Sequence, residues 1–326
     1  MSPRPSWTLA FALSTSLVPV LAGCDDPSAS IDAGPAGGAD GAGGAAVDGA
    51  VDADALACTG ADACAWLDDY LRELVSALAG QVEIAPGLTV TGRETLAERS
   101  AARTYLRDQL ARWGAVTGHT YATGENVVLT LPATTAAGAA AAPLLLGAHF
   151  DSVAAGPGAA DNATGTALVV AAGRYLAGLP RRDRPVIIAV FDEEELGLIG
   201  SRAYARDLVA AGTALHSAHC FDMLSYDGDD DGGVELWSPT TELAALYQRH
   251  GQARGVPIAA FTFTRSDHQA FLEQGLAAVG VGEQFVGGDH TSHYHRATDT
   301  FDKVDFDYLG AAARLALSVS TDVVVD

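Results

Sequence analysis

The hydrophobic positions from about residue 65 onward switch repeatedly between helical and strand-like spacing. Apolar residues recur every three or four positions over 66–78, and a second helical stretch over 98–113 ends before Gly114. Short, continuous apolar runs bounded by turn residues follow. These patterns predict strands over 127–131, 144–150, 186–191, 218–224 and 277–282, with further helices over 163–178, 199–211, 241–254 and 305–320.

Continuous apolar strands that alternate with helices are typical of a mostly parallel or mixed sheet with helices on both faces. The pattern therefore predicts an α/β fold, arranged as a three-layer α/β/α sandwich. Active sites of such folds lie at the carboxyl ends of the strands. The polar residues that directly follow each apolar run are therefore the candidates for chemistry.

The N-terminal residues differ from the rest of the chain. Residues 8–22 form an apolar run that Pro19 interrupts; the run is too short to span a bilayer and is typical of a signal peptide. The letters LAGC, which end at Cys24, resemble the lipobox of bacterial lipoproteins. The resemblance implies cleavage before Cys24 and lipidation of its thiol, and the alternative is ordinary secretion with an incidental cysteine. We expect an exported protein, lipid-anchored to the periplasmic or cell-surface side of a bacterial membrane.

The segment after Cys24 predicts a tether. Residues 25–57 contain 11 Ala, 7 Gly and 7 Asp, with no aromatic and no basic residue. Such a segment buries too little apolar surface to offset its chain entropy, so it is expected to stay disordered. The predicted organisation is a lipoprotein signal peptide over 1–23, a tether over 24–57 and a folded domain over 58–326.

The charge of the chain limits its partners. It carries 19 basic and 41 acidic residues, a formal net charge of −22. This argues against nucleic acid and against a basic membrane-binding patch, because both need Lys or Arg to contact phosphate. We expect a monomer that contacts a membrane through its lipid anchor only. Cys58 and Cys64 flank five residues at the start of the domain and predict a local disulfide in an oxidising compartment.

Side chains that bind metal ions recur where strands should end. They are His149, Asp161, Glu195, Asp222 and His295. Each one alone has an ordinary explanation, such as a surface pair, a helix start or an N-cap. Their common placement at strand ends favours a shared site instead. Two imidazoles and three carboxylates suit two zinc ions that share one bridging carboxylate.

Several short sequence motifs resemble those of a known family. They are GAHFDSV at 147–153, ADNATGTA at 160–167, FDEEELGLIGS at 191–201, FDM at 221–223, RSDHQAF at 265–271 and YHRATDT at 294–300. Together they are similar to the bacterial dizinc aminopeptidases of metallopeptidase clan MH, leucyl aminopeptidase type, over roughly residues 98–325. The resemblance implies the zinc-peptidase (phosphorylase/hydrolase-like) fold with two Zn²⁺ per chain. It further implies a metallo-exopeptidase that uses a zinc-bridging hydroxide to remove N-terminal residues from peptides with a free N-terminus.

The resemblance also implies how the ligands divide between the two metals. Asp161 matches the carboxylate that bridges both ions. His149 and Asp222 match ligands of one zinc, and Glu195 and His295 match ligands of the other. The Asp161–Asn162 peptide bond is expected to be cis.

Four further matched residues relate to the reaction. Glu194 matches the general base, and Asp151 matches the acid that receives the ring N–H of the first histidine ligand. Tyr294 resembles a phenol that stabilises the oxyanion, and Arg265 resembles an arginine that contacts substrate. Three consecutive glutamates allow a register shift, and the Leu-Gly-Leu that follows them favours Glu194 as the base.

Other functions stay open. A glutaminyl cyclase shares the fold and several ligand positions but uses one zinc, and a non-catalytic binding module would use the same fold without turnover. The intact His149 and the word EELGLIGS favour the aminopeptidase. The acidic stretch over 227–232 imitates the start of a calcium loop. Its twelfth position is Ser238 rather than Glu, so it is interpreted as an acidic turn between strands.

Overall fold

The computed structural model describes residue 60 and residues 63–325. The predicted signal peptide over 1–23 and the tether over 24–57, with the lipidation site Cys24, lie outside these residues. Cys58 lies outside them as well. Cys64 is disulfide-bonded, and its pairing with Cys58 stays a prediction, as does the start of the domain at residue 58.

Helices and strands alternate along most of the described chain. The α-helices are α1 (Leu67–Leu78), α2 (Leu96–Ala111), α3 (Gly165–Ala177), α4 (Ile199–Ala210), α5 (Thr241–Arg254), α6 (His268–Glu273) and α7 (Phe306–Val325). The strands are β1 (Ala115–Thr120), β2 (Glu125–Leu131), β3 (Leu144–His149), β4 (Val186–Phe191), β5 (Ser217–Phe221), β6 (Val234–Trp237), β7 (Ile258–Phe261) and β8 (Ala278–Gly282).

The strands form one mixed sheet in the order β1-β2-β4-β3-β5-β8-β6-β7. Its centre is the parallel group β4, β3, β5 and β8. β2 runs antiparallel to β4, and β6 runs antiparallel to β8. The carboxyl ends of the four central strands therefore lie along one edge, where the chain leaves the sheet at neighbouring points.

Both faces of the central strands are covered. Along β3, Leu144 and Leu146 belong to the apolar cluster with α1, α2, α3, α5 and α7, whereas Leu145 packs with α4 and α6. β4 repeats this alternation, with Ile188 on the first side and Ile187 on the second. Because successive side chains of a strand point to opposite faces, a strand covered on both sides is apolar at every position. The predicted three-layer α/β/α architecture is confirmed.

The elements β1, β6, β7 and α6 were missing from the sequence-based prediction, each for a local reason. β1 and β7 are edge strands whose side chains are exposed or half-buried. β1 contains no continuous apolar run, and the apolar run of β7 has only four residues, Ile258–Phe261. β6 carries the buried carboxylate Glu235 between two apolar residues. α6 has six residues, fewer than two helical turns, and so shows no helical period.

α7 is, among the residues that the structure describes, the one helix long and apolar enough to cross a bilayer. Its apolar stretch has a mean hydropathy of 1.3, and 67% of that stretch is buried inside the fold. α7 packs against α1, α3 and α5. Its composition is therefore that of a core helix.

Candidate metal centre

The carboxyl edge of the central strands carries the predicted ligands. His149 is the last residue of β3, Asp222 directly follows β5, and Glu195 lies in the loop after β4. Asp161 lies in a distorted helical turn over Ala159–Thr164, and His295 lies in the long connection between β8 and α7. The structure brings all five side chains together at this edge.

The ligands form two groups that share one carboxylate. In the first group, His149 Nε2 lies 3.4 Å from Asp161 Oδ1 and 3.5 Å from Asp222 Oδ1. In the second group, His295 Nε2 lies 3.2 Å from Asp161 Oδ2 and 3.1 Å from Glu195 Oε2. Asp161 thus offers one oxygen to each group. This is the arrangement expected of a carboxylate that bridges two cations.

Unpartnered polar atoms show that the donor set fits metal ions. Nε2 of His149, Oε1 of Glu195 and Oδ1 of Asp222 are buried without a hydrogen-bond partner. Leaving such atoms unpaired in the interior costs about 1–3 kcal/mol each. Two divalent cations would satisfy them, and imidazole nitrogen with carboxylate oxygen is a donor set typical of zinc.

Burial and neighbouring charges shift the pKa values of the acids in this cluster. Burial, together with the nearby Asp161 carboxylate, raises the pKa of Glu195 to about 8. Burial likewise raises the pKa of Glu194 well above its usual range. Burial opposes the ionisation of Asp161 as well, but its contacts with both histidines hold its pKa below the usual range. A metal ion would replace the protons that this cluster otherwise retains.

Asp151 connects the first group to the loop after β4. Its Oδ1 lies 3.4 Å from His149 Nδ1, and its two oxygens accept hydrogen bonds from the backbone N–H groups of Glu194 (3.0 Å) and Glu195 (3.1 Å). The same carboxylate therefore faces the ring of one predicted ligand and orients the backbone that carries another. From this position Asp151 can orient both ligands, and its supporting role stays a prediction.

Of the three consecutive glutamates, two face the metal centre and one faces away from it. Glu194 and Glu195 line a cavity beside the ligands. Glu193 points away from it; its carboxylate pairs with Arg99 at 3.0 Å and accepts a hydrogen bond from Thr123. Glu193 has a φ of 63°, a left-handed conformation that turns the chain between these environments. The geometry therefore supports the register that places Glu194, rather than Glu193, beside the ligands.

Tyr294 and Arg265 also line this cavity. The Tyr294 ring stacks on His295 with 3.8 Å between ring centroids. Arg265 is exposed, and its guanidinium carbon lies 5.4 Å from the centroid of the Phe263 ring. The remaining wall is apolar and mostly aromatic, formed by Met223, Trp237, Phe263 and Phe285. The cavity thus combines an acidic floor with an apolar wall.

The turn that carries Asp161 is held by Asn162 and by Asp299, which is not among the predicted site residues. Asp299 accepts hydrogen bonds from the backbone N–H groups of Ala160 (2.7 Å) and Asp161 (3.1 Å). The Asn162 side chain donates to the carbonyl of Phe221 at 2.9 Å, next to Asp222. The Asp161–Asn162 peptide bond is cis, as the resemblance implied. Asp299 lies inside the matched word YHRATDT, which was the available signal.

Arg93 is a second supporting residue that was missed. It is fully buried and donates to the backbone carbonyls of Leu78 (2.6 Å), Gly158 (2.8 Å) and Phe150. These bonds hold the chain between His149 and the turn of Asp161. A single arginine in a polar stretch has no distinguishing pattern, so the sequence contained no signal for it.

The acidic stretch over 227–232 lies between β5 and β6, as predicted for an acidic turn. Asp227, Asp229 and Asp231 lie close enough together to face one cation, and all three are exposed or half-buried. Their carboxylates accept hydrogen bonds from backbone N–H groups within the turn. These bonds account for the cluster as local turn structure.

The sequence of this chain is similar to those of known proteins. Residues 126–320 match Peptidase family M28. A curated relative described as "Probable lipoprotein aminopeptidase LpqL", from Mycobacterium tuberculosis, is 31% identical over 214 residues, which cover 55% of this chain and 42% of the relative. The chain spans about two fifths of the length of the curated relatives it matches.

Solved structures share the fold. The zinc aminopeptidase BSAP from Bacillus subtilis has a TM-score of 0.56 and 21% identity, covering 62% of this chain and 50% of that one. A glutaminyl cyclase from Porphyromonas gingivalis has a TM-score of 0.63 and 18% identity, covering 79% of this chain and 98% of that one. The family match extends over more than half of the chain and includes the ligand positions from His149 to His295. The chain therefore belongs to peptidase family M28.

Proposed function

We propose that this protein is a zinc-dependent aminopeptidase with two zinc ions per chain. The observation that carries the proposal is the position of Asp161, whose two oxygens each face a separate pair of one histidine and one carboxylate. Relatives and structural neighbours with aminopeptidase in their descriptions, one of them a zinc enzyme, support the same class. Peptide substrates follow from that class.

Several side chains at the site have separate roles in the proposed reaction. His149, Asp161, Glu195, Asp222 and His295 would hold two zinc ions, which would supply Lewis-acid chemistry for peptide hydrolysis. Glu194 accepts the proton of the attacking water and then donates it to the leaving amine. The Tyr294 hydroxyl donates a hydrogen bond to the oxyanion of the tetrahedral intermediate. Asp151 keeps the Glu194 backbone and the His149 ring in place.

The cavity lining and the relatives bear on which end of a peptide binds. The floor of the cavity carries the carboxylates of Asp161, Glu194, Glu195 and Asp222, and two zinc ions would offset their charge. Action at the N-terminus is therefore proposed from the relatives described as aminopeptidases. The apolar wall suits the side chain of the residue that is removed.

Amine-blocked and free substrates test the proposal directly. We expect the protein to hydrolyse aminoacyl-p-nitroanilides with a free amine and to leave their N-acetyl derivatives intact. We further expect two zinc ions per chain by elemental analysis, with activity lost on chelation and restored by zinc. Equal hydrolysis of acetylated and free substrates would contradict an aminopeptidase.

The same measurements separate the glutaminyl cyclase alternative. A cyclase would bind one zinc tightly and release ammonia from peptides that begin with Gln, without cleaving the nitroanilides. The two complete ligand groups around Asp161 favour the two-metal hydrolase. A protein that binds zinc and catalyses neither reaction would instead support the binding-module alternative.

We also propose that the chain is exported and lipid-anchored through Cys24. The LAGC sequence after an apolar run supports this, and the relative LpqL is described as a probable lipoprotein. We expect the wild-type protein in the membrane fraction of a bacterial host, labelled by a fatty acid. Cys24→Ala should move it to the soluble exported fraction without the label. A Cys24→Ala protein that remains labelled would contradict the anchor site.

A further inference from the structure

Glu283 is a buried carboxylate outside the ligand set. It directly follows β8, and its side chain has no exposed surface. Its backbone N–H donates to the carbonyl of Met223 at 2.7 Å, which extends the contact between β5 and β8 beyond the end of the strands. Its side chain therefore starts from a rigid position between two loops.

Each oxygen of Glu283 holds a different loop. Oε2 accepts from the backbone N–H of Ser225 at 2.9 Å and from the Ser225 hydroxyl at 3.0 Å. Oε1 accepts from the backbone N–H of Thr291 at 2.8 Å. A carboxylate can accept on both oxygens at once, which an amide cannot do.

The two loops carry ligands of different groups. Ser225 lies three residues after Asp222, a member of the first group, and Thr291 lies four residues before His295, a member of the second. Asp222 is also fastened to the sheet, because its N–H donates to the carbonyl of Val281 at 3.0 Å. The His295 side chain is 40% exposed and lies outside the sheet.

We propose that Glu283 is a positioning residue that fastens the loop of His295 to the strand end that carries Asp222. Glu283 thereby sets the distance between the two halves of the metal centre. This inference rests on the proposed two-zinc function. Because the Asp222 side is already held by the sheet, loss of Glu283 affects the His295 half first.

Glu283→Gln tests this role with a side chain of almost unchanged shape. The amide nitrogen cannot accept a hydrogen bond from a backbone N–H, so Ser225 or Thr291 loses its acceptor. We expect one of the two zinc ions to bind about 10–100-fold more weakly, as is typical when a group that orients a ligand is lost. The measurement is a zinc titration of the chelated protein against a competing chromophoric chelator.

Glu235→Gln is the matched control. Glu235 is equally buried and accepts from the backbone N–H of Val286 at 2.8 Å and from the Trp237 indole N–H at 3.0 Å. It presents a carboxyl group to the same loop but does not contact a ligand-bearing segment at both ends. We expect Glu235→Gln to bind both zinc ions with affinities within about threefold of the wild type, because its hydrogen bonds do not join the two ligand-bearing loops.

The zinc titrations distinguish failure of the proposed function from failure of the proposed role of Glu283. Wild-type protein that binds fewer than two zinc ions would contradict the proposed function. A wild type with two zinc ions and a Glu283→Gln variant with the same affinities would overturn the role of Glu283 alone, as would equal weakening in both variants.

A second variant tests the role of Glu283 if Glu283→Gln does not fold. If thermal unfolding shows that zinc-free Glu283→Gln does not fold, Ser225→Ala removes one hydrogen bond to the same carboxylate. We then expect about 2–10-fold weaker binding of one zinc ion, as for the loss of one hydrogen bond. Unchanged zinc binding in Ser225→Ala would overturn the proposal.

Discussion

Replacing Glu194 by Gln should lower kcat by about 10²–10⁴-fold while both zinc ions stay bound. Glu194 lines the cavity beside the two ligand groups, but its side chain belongs to neither of them. The amide has nearly the same size and cannot accept the proton of the attacking water. Initial rates with a free-amine nitroanilide, together with elemental analysis of the same sample, give both quantities.

Glu193→Gln is the control for this substitution, because it changes the neighbouring glutamate in the same way. The Glu193 side chain points to Arg99 and Thr123, away from the cavity. We expect Glu193→Gln to keep kcat within about tenfold of the wild type and to lower stability by about 1–3 kcal/mol through the weakened buried ion pair. If Glu193→Gln inactivates the protein and Glu194→Gln does not, the register of the triplet is wrong.

Replacing Asp161 by Asn should remove both zinc ions and with them almost all activity. Asp161 is the carboxylate that both ligand groups share, and a neutral amide supplies neither the charge nor the second oxygen. We expect the rate to fall at least about 10³-fold, equivalent to about 4 kcal/mol of transition-state stabilisation. Zinc content after gel filtration should fall from two ions to none.

Asp222→Asn gives the matched comparison, because Asp222 belongs to one group only. We expect it to lose or weaken one zinc ion and to retain the other. Loss of a single ion in Asp161→Asn would show that the carboxylate does not bridge. Equal loss of both ions in Asp222→Asn would show that the two sites bind zinc only as a unit.

The predicted ligands could be found in the sequence because the central strands are buried on both faces. A continuous apolar run then marks each strand, and the first polar residue marks the edge where the active site lies. His149 and Asp222 occupy those places in the structure. The apolar run of β8 ends at Gly282, so the first polar residue after it is Glu283. The predicted site contains the later Tyr294 and His295 but not Glu283.

The edge strands β1 and β7 were missed for the opposite reason. Their side chains are exposed or half-buried. β1 shows no hydrophobic pattern, and the four apolar residues of β7 are too few to separate a strand from a loop. The hydrogen bonds that define these strands come from their neighbours β2 and β6. Such pairing depends on residues elsewhere in the chain, which a local pattern does not contain.

The sequence by itself determined the layers of the fold and the kinds of atoms at the strand ends, because burial and periodicity are local properties of the chain. The tertiary structure alone decided which oxygen of Asp161 faces which histidine, and which buried groups, such as Arg93, Asp299 and Glu283, hold those ligands. These contacts join segments as far apart as Ala160 and Asp299. Their distances follow from how the loops pack on a common sheet edge, and that packing is set by the whole chain at once.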